Sequence, residues 1–289
     1  MYAITGITGN VGGAMARALL AAGQPVRAVV RDAAKGRAWA ALGCEVAVAQ
    51  IEDVRALGAA FSGVEGAFVL PPSEFDPAPG FPEAKAINAA IAAALSTARP
   101  PKVVCLSTIG AQAKRSNLLS QRTLLEQALA SLPSAVTFLR PAWFMENLAW
   151  DIDQAKTQGT LSCFLQPLER ALPMVATEDV GNYAAELIQQ SWTGQRIAEL
   201  EGPRWLNQHQ IAATLSELLA RPVRAQIVAR ESWLTLFKAQ GMQHPEPRIQ
   251  MLDGFNQGWI EFEGEPASVH RGKVELKAVL SALIAKAAA

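Results

Sequence analysis

The chain has 289 residues, half of them hydrophobic, and its 26 lysines and arginines balance 26 aspartates and glutamates. That length allows one large domain or a core with a smaller companion, and zero formal charge supplies no field to draw it onto nucleic acid or anionic lipid. The expectation is therefore no nucleic-acid partner and no membrane partner. Cys44, Cys105 and Cys163 lie far apart without CxxC spacing, which reads as buried thiols in a reducing cytoplasm. The first residues enter a strand with no charged stretch ahead of an apolar one, and no apolar run approaches a membrane-spanning length, so a cytoplasmic protein is expected.

A short apolar β-run, Met1-Tyr2-Ala3-Ile4, breaks into Thr5-Gly6-Ile7-Thr8-Gly9-Asn10-Val11-Gly12-Gly13 before an Ala/Leu-rich helix from Ala14 to Ala22 that Gly23 closes. Gly6, Gly9 and Gly12 form a GxxGxxG pattern between strand and helix. A dinucleotide pyrophosphate needs backbone N–H groups and a helix N-terminus there, with no Cβ in the way. Gly6, Thr8, Gly9, Asn10, Val11 and Gly12 are the expected cofactor contacts from this turn. The second strand, Val26–Val30, ends at Arg31, nineteen residues after Gly12, with Asp32 next and Lys35 and Arg37 close behind. An acidic residue at such a position accepts from the adenosine ribose, whereas a guanidinium pairs with a 2′-phosphate. Arg31 and Lys35 therefore predict NADP(H) as the cofactor.

Further strands are expected at Glu45–Ala49, Ala67–Leu70, Val103–Ser107 and Val136–Leu139, alternating with helices as a doubly wound parallel sheet requires. The clearest helix, Pro82 to Ala98, stops at Arg99-Pro100-Pro101. Ligands of open α/β sheets sit at the carboxyl edge, which adds Leu70, Pro71 and Ser107 to the cofactor contacts. The Pro-rich, acidic stretch from Pro71 to Pro82 reads as a loop whose order is left open. After Arg140-Pro141 an aromatic cluster, Trp143-Phe144-Met145, begins irregular sequence to Pro173. Thr177 is expected to N-cap a helix running to Gln190, Arg196–Leu200 to return as a strand, and the rest from Asn207 to hold three helices and one strand, Val223–Val228, before an Ala-rich tail. The expected organisation is a Rossmann-type α/β domain of residues 1–141 plus about 174–202, and a smaller α+β substrate-side lobe of residues 142–173 plus about 203–289.

Short-chain dehydrogenases carry a YxxxK acid pair. The two tyrosines here, Tyr2 and Tyr183, are followed four residues on by Gly6 and Leu187, so neither supplies it. With no titrating acid of that kind, a near-flat rate profile between about pH 6 and pH 8 is expected. Ser107 and Thr108 can hydrogen-bond a carbonyl oxygen or the nicotinamide amide, with a strand-end cap as the alternative. Trp143, Phe144, Met145 and Phe164 suit a flat apolar pocket for an aromatic or quinone ring, with plain inter-lobe core as the alternative. His209, His244 and His270 lack metal spacing, and no metal site is expected.

The glycine turn, Arg31-Asp32, Asn88, the run from Leu106 to Ala111, Thr137-Phe138-Leu139-Arg140-Pro141 with Phe144 and Glu146-Asn147, and Glu178-Asp179-Val180 together make the chain resemble the NmrA-like branch of the atypical short-chain dehydrogenase/reductase family. The resemblance implies either an NADPH-dependent oxidoreductase of a quinone-like or other flat carbonyl acceptor, or a non-catalytic NADP(H)-sensing regulator. It also adds Asn147 to the substrate pocket. A reductase of plant-phenolic type is disfavoured because such members use a lysine this chain lacks. In the family the helix after the fifth strand often carries Lys or His followed four residues later by Glu; here Arg122 and Glu126 stand there. Arginine is a poor general acid, which weakens a reductase mechanism that depends on that position; Thr108 and Arg122 are the catalytic candidates, with a homodimer as the association state to test.

Overall fold

The computed structural model describes residues 1–287; Ala288 and Ala289, the end of the alanine-rich tail, lie outside the described residues. Strands β1 (Tyr2–Ile4), β2 (Val26–Val30) and β3 (Glu45–Val48) alternate with helices α1 (Asn10–Ala21), α2 (Ala33–Ala41) and α3 (Val54–Phe61). Then come β4 (Gly66–Val69), α4 (Pro82–Ala98), β5 (Lys102–Leu106), α5 (Ser120–Leu129) and β6 (Ala135–Pro141). Every residue of β4 is buried and β5 is buried from Val103 onward, as expected where helices cover both faces of a parallel sheet. On one face Met15 and Leu19 of α1 meet Ile4, Val104 and Leu139; on the other Phe61, Ile91, Leu95 and Leu125 meet Val69, Val103 and Cys105.

Beyond β6 the chain forms β7 (Trp143–Phe144), a 3₁₀ turn (Met145–Asp151), α6 (Ile152–Gln158), β8 (Thr160–Cys163) and β9 (Met174–Val175). This stretch is more regular than its sequence suggests, because β7 pairs with β9 and β8 with β11 through distant partners. Next are α7 (Thr177–Gln189), β10 (Gln195–Glu201), α8 (Gln208–Leu219), β11 (Arg224–Ile227), α9 (Trp233–Ala239), α10 (Glu246–Gln257), β12 (His270–Arg271) and α11 (Leu276–Lys286). Among the described residues four helices, not three, follow Asn207, and there are two short strands, β11 and β12, where one was expected.

The large sheet is parallel throughout, in the order β3-β2-β1-β4-β5-β6-β10-β12. Its first six strands follow the Rossmann order, so the winding reverses between β1 and β4 and opens a crevice at their carboxyl ends. The two-lobe division remains a proposal, and β12, from within the second stretch, docks on β10 of the large sheet.

Two helix starts differ from the sequence expectation. Helix α1 begins at Asn10, inside the glycine motif rather than after it, which puts its N-terminus on the crevice. Thr177 is not an N-cap but the first residue of α7; its N–H and hydroxyl both donate to the Glu146 carboxylate, so a side chain 31 residues upstream caps this helix. Glycine at position 181 lets α7 seat on α1, since a Cβ there would lie 2.5 Å from that of Ala14.

Candidate functional site

The turn after β1 is built by its glycines. Gly6 has φ +64°, and a Cβ on it would press on Leu70 Cδ2 at 2.9 Å; a Cβ on Gly12 would lie 2.4 Å from the Gly6 carbonyl oxygen. The absence of a Cβ at Gly12 therefore serves the turn's own packing. Thr5 ties the two strand ends at the switch point: its hydroxyl accepts from Leu70 N–H at 2.8 Å and donates to the Phe68 carbonyl at 3.2 Å.

Gly9 is the N-cap of α1 in extended backbone, without a side-chain cap, and no acidic residue stands in the first turn. Gly9 N–H closes the turn onto the Gly6 carbonyl and Gly13 N–H begins the helical ladder on the Gly9 carbonyl. The N–H groups of Asn10, Val11 and Gly12 are left as the helix's unsatisfied donors among the described residues, at the positive end of its dipole. Thr8, Gly9 and Asn10 are solvent-exposed. The position fits a pyrophosphate.

Arg31 and Lys35 are exposed beyond the end of β2. Asp32, the carboxylate at this strand end, is turned to its own helix: it N-caps α2, accepting from Ala34 N–H at 2.8 Å. Basic side chains thus face solvent where an adenosine ribose would lie, the arrangement suited to a 2′-phosphate.

At the end of β5, Ser107 is buried and its hydroxyl donates to Glu126 Oε1 at 2.5 Å. Its single proton is spent on Glu126, so toward a ligand Ser107 offers only lone pairs. Arg140, at the end of β6, grips both oxygens of Glu126 at 2.8 and 2.7 Å and reaches Glu263 at 2.5 Å. Thr108 is half-buried, and its hydroxyl has no partner among the described residues.

These strand ends open into a cavity of about 560 Å³. Asn10 and Val11 of the glycine turn line it with Leu70, Ser107 and Thr108 at the ends of β4 and β5, and Trp143, Phe144, Asn147 and Phe164 line it from the chain beyond β6. Trp143 is fixed edge-on by Phe255, with ring centres 5.1 Å apart, and Phe164 stacks on Phe237 at 5.3 Å. Met145 is not part of this wall: it is fully buried in the lobe's own core beneath Gly202, because the 3₁₀ turn that starts with it rotates its side chain away from the cavity.

The stretch from Pro71 to Pro82 is an ordered strap, of which Ser73, Glu74 and Phe75 line the cavity. Asp76 accepts from the backbone N–H groups of Gln243 and His244, both at 2.6 Å, and Gln121 donates to the Glu74 carbonyl. Phe75, borne on the strap, has its ring centre 6.3 Å from that of Trp150, which also lines the cavity. Arg122 donates to the Pro71 carbonyl at 3.0 Å and to Ser73 Oγ at 2.6 Å, so its guanidinium holds the strap while also lining the cavity. Burial lowers its pKa to about 10, which still leaves it charged at neutral pH.

Phe75, Trp150, Asp151 and Arg248 are among the cavity residues that were not sequence candidates. Asp151 is an acid in largely apolar surroundings, and burial raises it to about 6. Cys163, beside it, is pushed up to about 11 by burial and stays a neutral thiol. The only sequence signal for Asp151 is a carboxylate set in the apolar run Leu148-Ala149-Trp150-Asp151-Ile152.

Residues 2–258 match the family model described as the NmrA-like family. The chain belongs to the NmrA-like family. Within the NmrA-like family it is similar to an NAD(P)H azoreductase of Xenophilus azovorans, 30% identical over 260 residues that cover 89% of this chain and 85% of that one. Quinone oxidoreductase 2 of Escherichia coli strain K12 is 28% identical over 256 residues, covering 87% and 85%. The crystal structure of an Escherichia coli NADPH-dependent quinone oxidoreductase complexed with NADPH shares the fold, with a TM-score of 0.80, 23% identity and coverage of 98% and 99%.

Proposed function

We propose that this NmrA-like protein is an NADPH-dependent oxidoreductase that transfers hydride to a quinone-like or other flat conjugated acceptor. The observation that carries the reading is the cavity itself, which joins the strand ends beside the glycine turn to an aromatic wall under a strap. The names of the relatives, an NAD(P)H azoreductase and a quinone oxidoreductase, support the same chemistry. A sensor without activity would need the dinucleotide site but not the aromatic chamber.

When bound, NADPH supplies the hydride. The chain's own residues hold and orient: the N–H groups of Asn10, Val11 and Gly12 take the pyrophosphate, Arg31 and Lys35 the 2′-phosphate, and Ser107 accepts from the nicotinamide amide. Thr108, with a free hydroxyl, donates to the acceptor's oxygen. Trp143, Phe144 and Phe164 sandwich the acceptor, with Asn147 at the cavity rim, and the strap excludes water, which strengthens each of these polar contacts. Arg122 acts by holding the strap and by its charge, not as an acid. The buried, unpaired thiols of Cys44, Cys105 and Cys163 support a cytoplasmic setting, and a homodimer is the association state to test.

Purified protein with NADPH and a panel of benzoquinones, naphthoquinones and azo dyes is expected to show acceptor-dependent loss of the nicotinamide absorbance. No oxidation with any acceptor, together with a large NADP-dependent change in shape or association, would establish the sensor instead. For cofactor choice, Arg31→Ala is expected to weaken NADPH binding by about 10- to 100-fold, the equivalent of one charge-assisted contact of about 1.5–3 kcal/mol, and to leave NADH nearly unchanged. Titration calorimetry at two salt concentrations reads this, and equal losses for both cofactors would make Arg31 a structural residue.

A further inference from the structure

Reduction of a quinone by hydride leaves an oxyanion that must gain a proton, and the tyrosine that serves related enzymes is absent. The cavity contains one group fitted to replace it. Asp151 sits where the 3₁₀ turn passes into α6, a junction at which an aspartate ordinarily caps backbone N–H groups; its side chain makes no such bond. It lines the same chamber as Ser107, Thr108 and Phe164, with Leu161, Cys163 and Leu148 about it.

The charged and titratable groups around that chamber leave Asp151 unpaired. Cys163 on β8 is a neutral thiol, Asp153 on α6 is exposed, and Glu74 lies on the strap. Arg122 on α5 is engaged with Pro71 and Ser73, and Arg248 on α10 lies over the Phe237 ring at 4.4 Å. Burial raises the Asp151 carboxyl, and no ion pair is made to it among the described residues.

We propose that Asp151 is the acid of the reaction, donating its carboxyl proton to the acceptor oxygen as hydride arrives at the ring. The assignment rests on the oxidoreductase reading above. In the step, the hydride that bound NADPH would supply forms a C–H bond at a ring carbon, the C=O π pair moves onto its oxygen and takes the Asp151 proton, and loss of that ring proton to water with protonation of the second oxygen completes the hydroquinone, leaving NADP⁺ and the Asp151 carboxylate. The carboxylate regains its proton from water once product leaves. A group titrating near 6 is partly protonated at neutral pH and recharges readily, as a general acid must.

The pH profile then carries the signature. In place of the near-flat profile expected from the sequence, kcat with a saturating quinone rises as pH falls from 8, passes its midpoint near 6 and levels off about a unit lower. Asp151→Asn, isosteric and uncharged, flattens that profile and lowers kcat at pH 6 by about 100-fold with little change in KM, whereas Asp151→Glu keeps a sloping profile.

Thermal melting supplies a readout independent of turnover. A carboxyl whose pKa is raised on folding costs the folded state stability above about pH 6, and the cost vanishes below the unfolded value of about 3.9. Asp151→Asn therefore melts higher than the wild type at pH 7.5 and level with it near pH 3.5. Coincident kcat profiles for wild type and Asp151→Asn, or a wild-type profile without a midpoint near 6, overturn the assignment while the oxidoreductase reading stands. A melting difference independent of pH overturns it as well. Absence of any quinone turnover by the wild type, with the melting behaviour as stated, sinks the oxidoreductase reading and the acid role with it.

Discussion

Gly9→Val and Gly12→Val are expected to fail in different ways. A Cβ on Gly9 meets only the Gly6 carbonyl oxygen, at 3.3 Å, and Gly9 has an ordinary extended backbone, so the folded chain tolerates valine there. The branched side chain would instead stand at the N-terminus of α1, in the space a pyrophosphate must enter. Loss of two charge-assisted contacts at about 1.5 kcal/mol each is about 3 kcal/mol, so both NADPH and NADH should bind at least about 100-fold more weakly to a protein that melts near the wild-type temperature. Gly12→Val places its Cβ 2.4 Å from one backbone oxygen and 2.9 Å from the Ile7 Cα, neither of which is a flexible side-chain end. That variant should lose the turn and with it the packing of α1, and be recovered mostly insoluble. Unaltered NADPH binding by a folded Gly9→Val protein would remove the turn from the site.

This contrast marks how far the sequence reaches. The glycine spacing, the helix that follows and Arg31 lie within about thirty residues, where local backbone chemistry decides the outcome, and they were legible. The spacing did not show that Gly12 packs on the Gly6 carbonyl, because that contact depends on α1 starting four residues early. The continuous apolar strands announced the parallel sheet, whereas β12 has two residues and no pattern of its own. The site's second half was hidden by distance. The strap is ordered because Asp76 bonds backbone 167 residues away, α7 is capped by Glu146 rather than by its own Thr177, and the chamber around Asp151 exists because β8 pairs with β11. Met145 was drawn into the pocket by its aromatic neighbours, yet the 3₁₀ turn that it begins sends it into the core.

The ion pair behind Ser107 carries the last large effect. Burial pulls the Arg140 guanidinium's pKa down, but the hydrogen bonds and charges of Glu126 and Glu263 outweigh it and leave it raised. The Arg140 and Glu126 side chains are only 5% and 12% exposed, so Arg140→Met would strand a carboxylate with little water to solvate it. Removing one partner of such a pair costs about 3–5 kcal/mol, an expected fall of about 10 °C in melting temperature for a chain of this size. Adding Glu126→Leu should return much of that stability, since an apolar pair leaves no uncompensated charge, and the coupling is read from the double-mutant cycle. Stability restored in the double variant would not restore the site. Ser107 would lose the acceptor that holds its hydroxyl, free its proton, and present the nicotinamide amide with a rotating donor in place of a fixed lone pair. The double variant is therefore expected to melt near the wild type yet bind NADPH several-fold more weakly. Wild-type affinity in that folded protein would show that the network serves the fold alone, and a loss of less than about 1 kcal/mol in Arg140→Met would show that water reaches Glu126 more freely than its burial implies.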